Sequence, residues 1–133
     1  VGVEMKARAL KKYIRSSPRK MRLVIDLIRG KKIEEALDIL RFTNKLAASD
    51  AEVVLKSAIS NLEYKCDEEE VDFDPENVVV KEAFVDQGPT MKRIQPAPMG
   101  RAYRIRKRSN HLTIVVELPE VEEEVEEIEE NVE

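Results

Sequence analysis

Residues 89–108 read PTMKRIQPAPMGRAYRIRKR and lie between two strand-like runs, residues 78–86 and 111–118. Val78, Val80 and Val85 on one side, and Leu112, Ile114 and Val116 on the other, supply the β-branched and apolar positions of strands. Gly88, Pro89, Pro96, Pro98 and Gly100 disfavour a continuous helix between them. If the strands continue inward, period two places Arg104, Arg106 and Arg108 on one face, with Tyr103, Ile105 and Lys107 on the other. A helix over residues 100–108 would also cluster Arg101, Arg104 and Arg108, but proximity to the strand at Leu112 favours the extended form. Two arms of about ten residues at ~3.3 Å each make a finger roughly 30 Å long. A lone hairpin of that length is marginal in water, so a partner is expected to order it. The twenty residues hold seven cations and no acid. Like charges held together in this way point to a polyanion.

Charge elsewhere is segregated too. The chain has 133 residues, 38% of them charged, and a net charge of −4. Residues 1–33 carry +9, residues 34–77 carry −9, residues 78–116 carry +6 and residues 117–133 carry −10. The acidic total therefore describes none of these regions. The length suits one domain with extensions. A single cysteine, Cys66, excludes an intrachain disulfide framework and suits a reducing compartment. No apolar run approaches the ~18 residues that a membrane span needs, and the N-terminus lacks the apolar core of a secretory signal. The chain begins on Val1 rather than Met, which points to processing or trimming. A soluble, intracellular protein with no membrane contact is the expectation.

Upstream, Ala7 and Ala9 alternate with Lys6 and Arg8, as in a strand with small residues inward and cations outward. Ser17 as N-cap and Pro18 at the first helical position start a helix through Met21, Val24, Ile25 and Ile28, and Gly30 ends it. Arg19 and Lys20 occupy the first turn, where the helix dipole favours acids. With Lys6, Arg8, Lys11, Lys12 and Arg15 just before them, these cations and the free N–H groups suit a phosphate. Ile33, Ala36, Leu37 and Leu40 mark a second short helix. Thr43 or Asn44 is expected to cap a third, over residues 45–64. Residues 67–77 (DEEEVDFDPEN) read as a solvated acidic loop without the glycine and ligand spacing of an EF-hand. In the tail, residues 119–133, acids are interleaved with Val121, Val125, Ile128 and Val132. It reads as a disordered solubilising tail, with an acidic amphipathic helix as the alternative.

No catalytic constellation is present. His111 has no second histidine or paired cysteine for a metal site, and it stands at the mouth of a strand, where a structural or phosphate-facing role fits better. Cys66 precedes four acids, which do not activate a thiol. Phosphate-loop, G-x-S-x-G and H-E-x-x-H motifs are absent. Neither an enzyme nor a bound cofactor is expected. Arginine forks suit phosphates and splayed bases, Tyr103 can stack on an unpaired base, and a narrow cationic finger fits a crevice in folded RNA.

The stretch PRKMRLVIDLIRG (residues 18–30), followed by Lys31-Lys32 and Glu35-Ala36, closely resembles the opening helix of the bacterial-type large-subunit ribosomal protein twenty-two family. ILRFTNK (39–45) and LKSAISN (55–61) are similar to its second and third helices. VVKEAFVDQGP (79–89), residues 90–93 and MGRA (99–102) resemble its hairpin, and Arg104-Ile105, Lys107-Arg108 and HLTIVV (111–116) its closing signature. The resemblance implies an α+β fold, with three helices packed on a small antiparallel sheet and a long protruding β-hairpin. It implies a single rRNA-binding domain over residues 1–118, with the hairpin at about 84–110. It further implies a structural role in the large subunit of a cytoplasmic or organellar ribosome. The partners would be large-subunit rRNA, neighbouring ribosomal proteins and the nascent polypeptide, whose exit tunnel the hairpin lines. By position, Lys6, Arg8, Lys11, Lys12, Arg15, Arg19, Lys20 and Arg22 would bind rRNA. So would Lys92, Arg93, Arg101, Arg104, Arg106, Lys107 and Arg108, and Tyr103 and His111 join them as rRNA-binding candidates on their own chemistry. Where the family usually has Arg-Pro-Arg-Ala near the tip, this chain has Gln95-Pro96-Ala97-Pro98, which predicts a stiffer and less charged tip. The acidic tail is foreign to the family pattern. Two other readings compete: a module whose finger binds an acidic protein, and a DNA-binding regulator.

Overall fold

A computed structural model describes residues 5–119. The expectations for the acidic tail beyond Pro119 lie outside the described residues. Strand β1 (Met5–Ile14) leads to helices α1 (Pro18–Ile28), α2 (Ile33–Phe42) and α3 (Leu46–Glu68). Strands β2 (Val79–Gln87), β3 (Met91–Pro96), β4 (Ala102–Lys107) and β5 (Asn110–Leu118) follow. β1, β5 and β2 form an antiparallel sheet in that order, and β3 and β4 form a second, two-stranded ladder. The fold is α+β, as the family resemblance implies.

Register sets the two faces of the main sheet. Ala7, Val116 and Val80 align, as do Ala9, Ile114 and Ala83, and then Lys11, Leu112 and Val85. All of these except Lys11 are buried, with Leu112, Ile114 and Val116 at 0% exposure. Small side chains on β1 suit the close packing of α3 against it, and α3 in turn buries Ala47, Ala48, Ala51 and Ala58. The outer edge of β1 is closed by that helix, because Lys65 Nζ donates to Lys6 O (2.8 Å) and Asn61 Nδ2 to Arg8 O (3.0 Å). An edge strand closed in this way cannot template further pairing.

The helix signals read from the sequence hold for α1. Ser17 Oγ accepts from the Lys20 N–H, Pro18 opens the helix, and Gly30 follows its end at φ 78°. For α3 the expected caps are corrected. Lys45 occupies the cap position without a side-chain bond, and Thr43 Oγ1 instead donates back to Ile39 O at the end of α2. α3 also runs on to Glu68, further than expected. Cys66, four residues after Leu62, prolongs its buried stripe into the acidic run. There Val71 N–H bonds to Cys66 O, and Asp74 caps a short 3-10 turn (Pro75–Asn77).

β2 and β5 continue into β3 and β4 as one long hairpin. Between the pairs Gln87–Asn110 and Met91–Lys107, residues 88–90 stand opposite only residues 108–109, so the hairpin is bulged at its root. Gln95 and Pro96 pair with Tyr103 and Ala102. The turn therefore centres on residues 97–101, closed by Ala97 N–H on Arg101 O (2.8 Å), rather than on residues 95–98. Met99 and Gly100 take left-handed φ values of 64° and 68° there.

Candidate nucleic-acid interface

The root of the finger is tied to the start of α1. Asn110, fully buried at the entry to β5, donates through Nδ2 to both Ser16 O and Ser16 Oγ (2.8 Å each), while its Oδ1 finds no partner among the described residues. Ser109 Oγ donates to Pro89 O (2.6 Å), and Gly88 N–H donates to Ser109 O (2.9 Å). A Cβ on Gly88 would stand 2.5 Å from Ser109 Oγ, so this close approach requires glycine. The result places the first turn of α1 beside the cationic arm of β4.

Three adjoining clefts mark the junction. The first, about 610 Å³, lies between α1 and the finger and is lined by Arg15, Lys20, Arg93, Arg106, Lys107 and Arg108, among others. The second, about 660 Å³, lies between the starts of α1 and α3 and presents Arg15, Arg19, Lys20 and Lys45 beside Leu23 and Leu46. The third, about 360 Å³, gathers Arg19, Arg22 and Arg108. The sequence separates these residues by up to about ninety positions, and the fold brings them together.

Cross-strand register mixes the two arms on each face of the finger. Lys92, Ile94, Arg104 and Arg106 share one face, and Arg93, Gln95, Tyr103, Ile105 and Lys107 the other. Every residue of β3 and β4 is exposed except Ile105, which is half-buried. The expected faces of β4 hold, although Arg108 lies past its end, in the bulge.

Partners separate the candidate cations into two groups. Lys11 points under the helices and pairs with Asp50 (2.8 Å). Arg22, although exposed, donates through Nη2 to Val85 O (3.0 Å), fastening α1 to β2. Lys6 is half-buried. His111 accepts the Tyr13 N–H on Nδ1 (3.0 Å), which is a structural contact. By contrast, Arg8, Lys12, Arg15, Arg19, Lys20, Lys92, Arg93, Arg101, Arg104, Arg106, Lys107 and Arg108 are exposed. None of these twelve pairs with an acid among the described residues. Several charges elsewhere do pair, as in Arg29–Asp26, Lys31–Glu35 and Lys56–Glu52.

Lys45, in the second cleft, and Arg29, whose Nε and Nη2 both donate to Ala83 O (3.1 and 2.7 Å), were not singled out by the sequence. Each depends on a long-range contact that no local pattern encodes. Tyr13 was also missed, although an aromatic set among Lys11, Lys12 and Arg15 is a legible signal of nucleic-acid contact. Chemistry of other kinds has no support at this surface. Cys66 is buried, and burial, with Asp67 and Glu69 adding to it, raises its thiol pKa, which leaves it unreactive. Among the described residues, no group of three or more His, Cys, Asp or Glu could hold a metal ion, and no helix is long and apolar enough to cross a membrane.

Comparison with known proteins agrees with this picture. Residues 9–117 match the family model described as ribosomal protein L22p/L17e. Large ribosomal subunit protein uL22 of Desulforamulus reducens is 53% identical over 112 residues, covering 84% of this chain and 95% of the relative. The protein of the same name from Desulfitobacterium hafniense is 51% identical over 110 residues, covering 83% and 92%. The chain thus belongs to the ribosomal protein L22p/L17e family, and its role is that family's structural, non-enzymatic one in the large ribosomal subunit.

Proposed function

We propose that the protein clamps folded large-subunit rRNA between two cationic surfaces, the first turn of α1 and the hairpin finger. The single observation that carries this reading is the set of twelve exposed cations without an acidic partner among the described residues, most of them on the finger and at its root. Such a surface is held together against its own repulsion and becomes favourable when phosphates and their released counterions settle the charge. Arg93, Arg101, Arg104, Arg106 and Arg108 offer planar forks to phosphate oxygens, and Tyr103, 62% exposed, offers a stacking face. Lys11, Arg22 and His111 support this surface through contacts within the fold.

In the subunit the finger lines the nascent-peptide exit tunnel. Its arms grip the rRNA wall, and the turn of Pro98, Met99 (94% exposed) and Gly100 is the uncharged part left to face a passing chain. Contact with several rRNA segments and with neighbouring ribosomal proteins lets one small domain support assembly.

A salt titration tests the reading. Binding to protein-free large-subunit rRNA should weaken with salt along a log–log slope of roughly −0.7 to −0.9 for each phosphate neutralised. The same protein should bind a generic polyanion of equal charge more weakly. Equal affinity for both, or a shallow slope, would favour an acidic protein as the partner of the finger.

A further inference from the structure

Strand β1 breaks its alternation at one place. Lys11 pairs with Leu112 and Ile14 with Asn110, so the register shifts and Lys12 and Tyr13 stand opposite His111 alone. Tyr13 takes a left-handed backbone, φ 58°, that such bulges commonly give to glycine. The freed N–H donates to His111 Nδ1, and the phenol stands perpendicular to the imidazole, with centroids 5.0 Å apart at 88°. A perpendicular contact covers at most one face of the phenol, and Tyr13 remains 65% exposed. The fold thus holds, on strained backbone, an aromatic ring that it scarcely buries. Glycine or asparagine would relieve the strain and forfeit little packing. Strain of this kind, at a position the core does not need, points outward.

The surroundings narrow the ligand. Lys12 and Arg15, one and two residues from Tyr13 in the chain, are exposed and without an acidic partner among the described residues. Leu10 and Phe84 align through Thr113 on the open face of the sheet and are 49% and 43% exposed. Asp86, opposite His111 on the β2 side, repels phosphates from that side and leaves the β1 side for them. An acidic peptide would satisfy the cations but not the open ring, whereas a nucleotide satisfies both. We propose that Tyr13 is a stacking platform for one unpaired base of rRNA, with Lys12 and Arg15 holding the adjoining phosphates. This inference rests on the rRNA-binding reading above and adds a second aromatic contact, at the root of the finger rather than on its arms.

The test compares Tyr13→Phe, Tyr13→Leu and Tyr13→Asn for binding to protein-free large-subunit rRNA. Tyr13→Phe keeps the ring and should bind within about twofold of wild type. Tyr13→Leu should weaken binding by roughly 5- to 150-fold, the range spanned by loss of one base stack, with the salt slope unchanged because every phosphate-binding cation remains. Tyr13→Asn tolerates the left-handed backbone, so it should melt cooperatively and still bind as weakly as Tyr13→Leu. In a Tyr64→Phe, Tyr103→Phe background, rRNA should also quench the remaining tyrosine fluorescence. Wild-type affinity in a folded Tyr13→Asn variant overturns the platform while leaving the rRNA reading intact. Failure of the unmutated protein to prefer rRNA over a generic polyanion overturns both.

Discussion

The long hairpin has two halves made from the same two stretches of chain. The inner half, β2 against β5, lies in a three-stranded sheet under the helices, and Val80, Ala83, Val85, Leu112, Ile114 and Val116 are buried. The outer half, β3 against β4, buries no residue. Both keep an antiparallel ladder, so backbone pairing is common to them and the core is not. Burial of apolar surface holds the inner half, at about 25 cal/mol for each Å² removed from water. The outer half has only its ladder and its turn, which suffice for a shape but leave its side chains to a partner.

Stability should therefore divide sharply along one hairpin. Ile114→Ala is expected to cost about 2–5 kcal/mol, because the site lies under helices that collapse only partly into the void. Ile105→Ala, at the one half-buried position of β3 and β4, should cost no more than about 0.5 kcal/mol. Urea unfolding of the two variants measures both, and equal costs would mean that the finger has a core of its own.

The root between the halves should respond in a different way. Gly88→Ala drives a Cβ against Ser109 Oγ, which its bond to Pro89 O holds in place, and is expected to cost on the order of 1–2 kcal/mol. Adding Ser109→Ala removes the obstructing oxygen, so the double variant should be less destabilised than the sum of the two single ones. Strict additivity in a double-mutant cycle would show that the close approach is not what requires glycine.

Much of this architecture is legible in the sequence. The Ser17-Pro18 start and Gly30 stop of α1 are local chemistry, and the paired strands follow from Val80, Val85, Leu112 and Ile114 flanking a segment that Pro and Gly keep out of helix. What local pattern could not give depends on register between distant strands. The bulge at residues 88–90 fixes which residues meet across the finger, and so moves the turn from residues 95–98 to 97–101. The second bulge puts Tyr13 on left-handed backbone beside His111. Lys11 and Arg22 count as free cations in the sequence, yet Asp50 and the Val85 carbonyl engage them in the fold's own contacts. The C-terminal turns of α3 were hidden because acids that look like loop also suit an exposed helix face once Cys66 continues the buried stripe.

If the outer half exists for its cations, removing them should alter binding and spare the fold. Arg101→Ala, Arg104→Ala and Arg106→Ala combined should leave the melting temperature within about 2 °C, since none of the three is buried or paired with an acid among the described residues. The decisive measurement is the log–log salt dependence of rRNA binding for this triple variant beside the unmutated protein. With three fewer phosphates neutralised, the slope should become shallower by about 2–3. An unchanged slope and affinity, in a variant that still melts cooperatively, would contradict the account of the finger as an RNA grip.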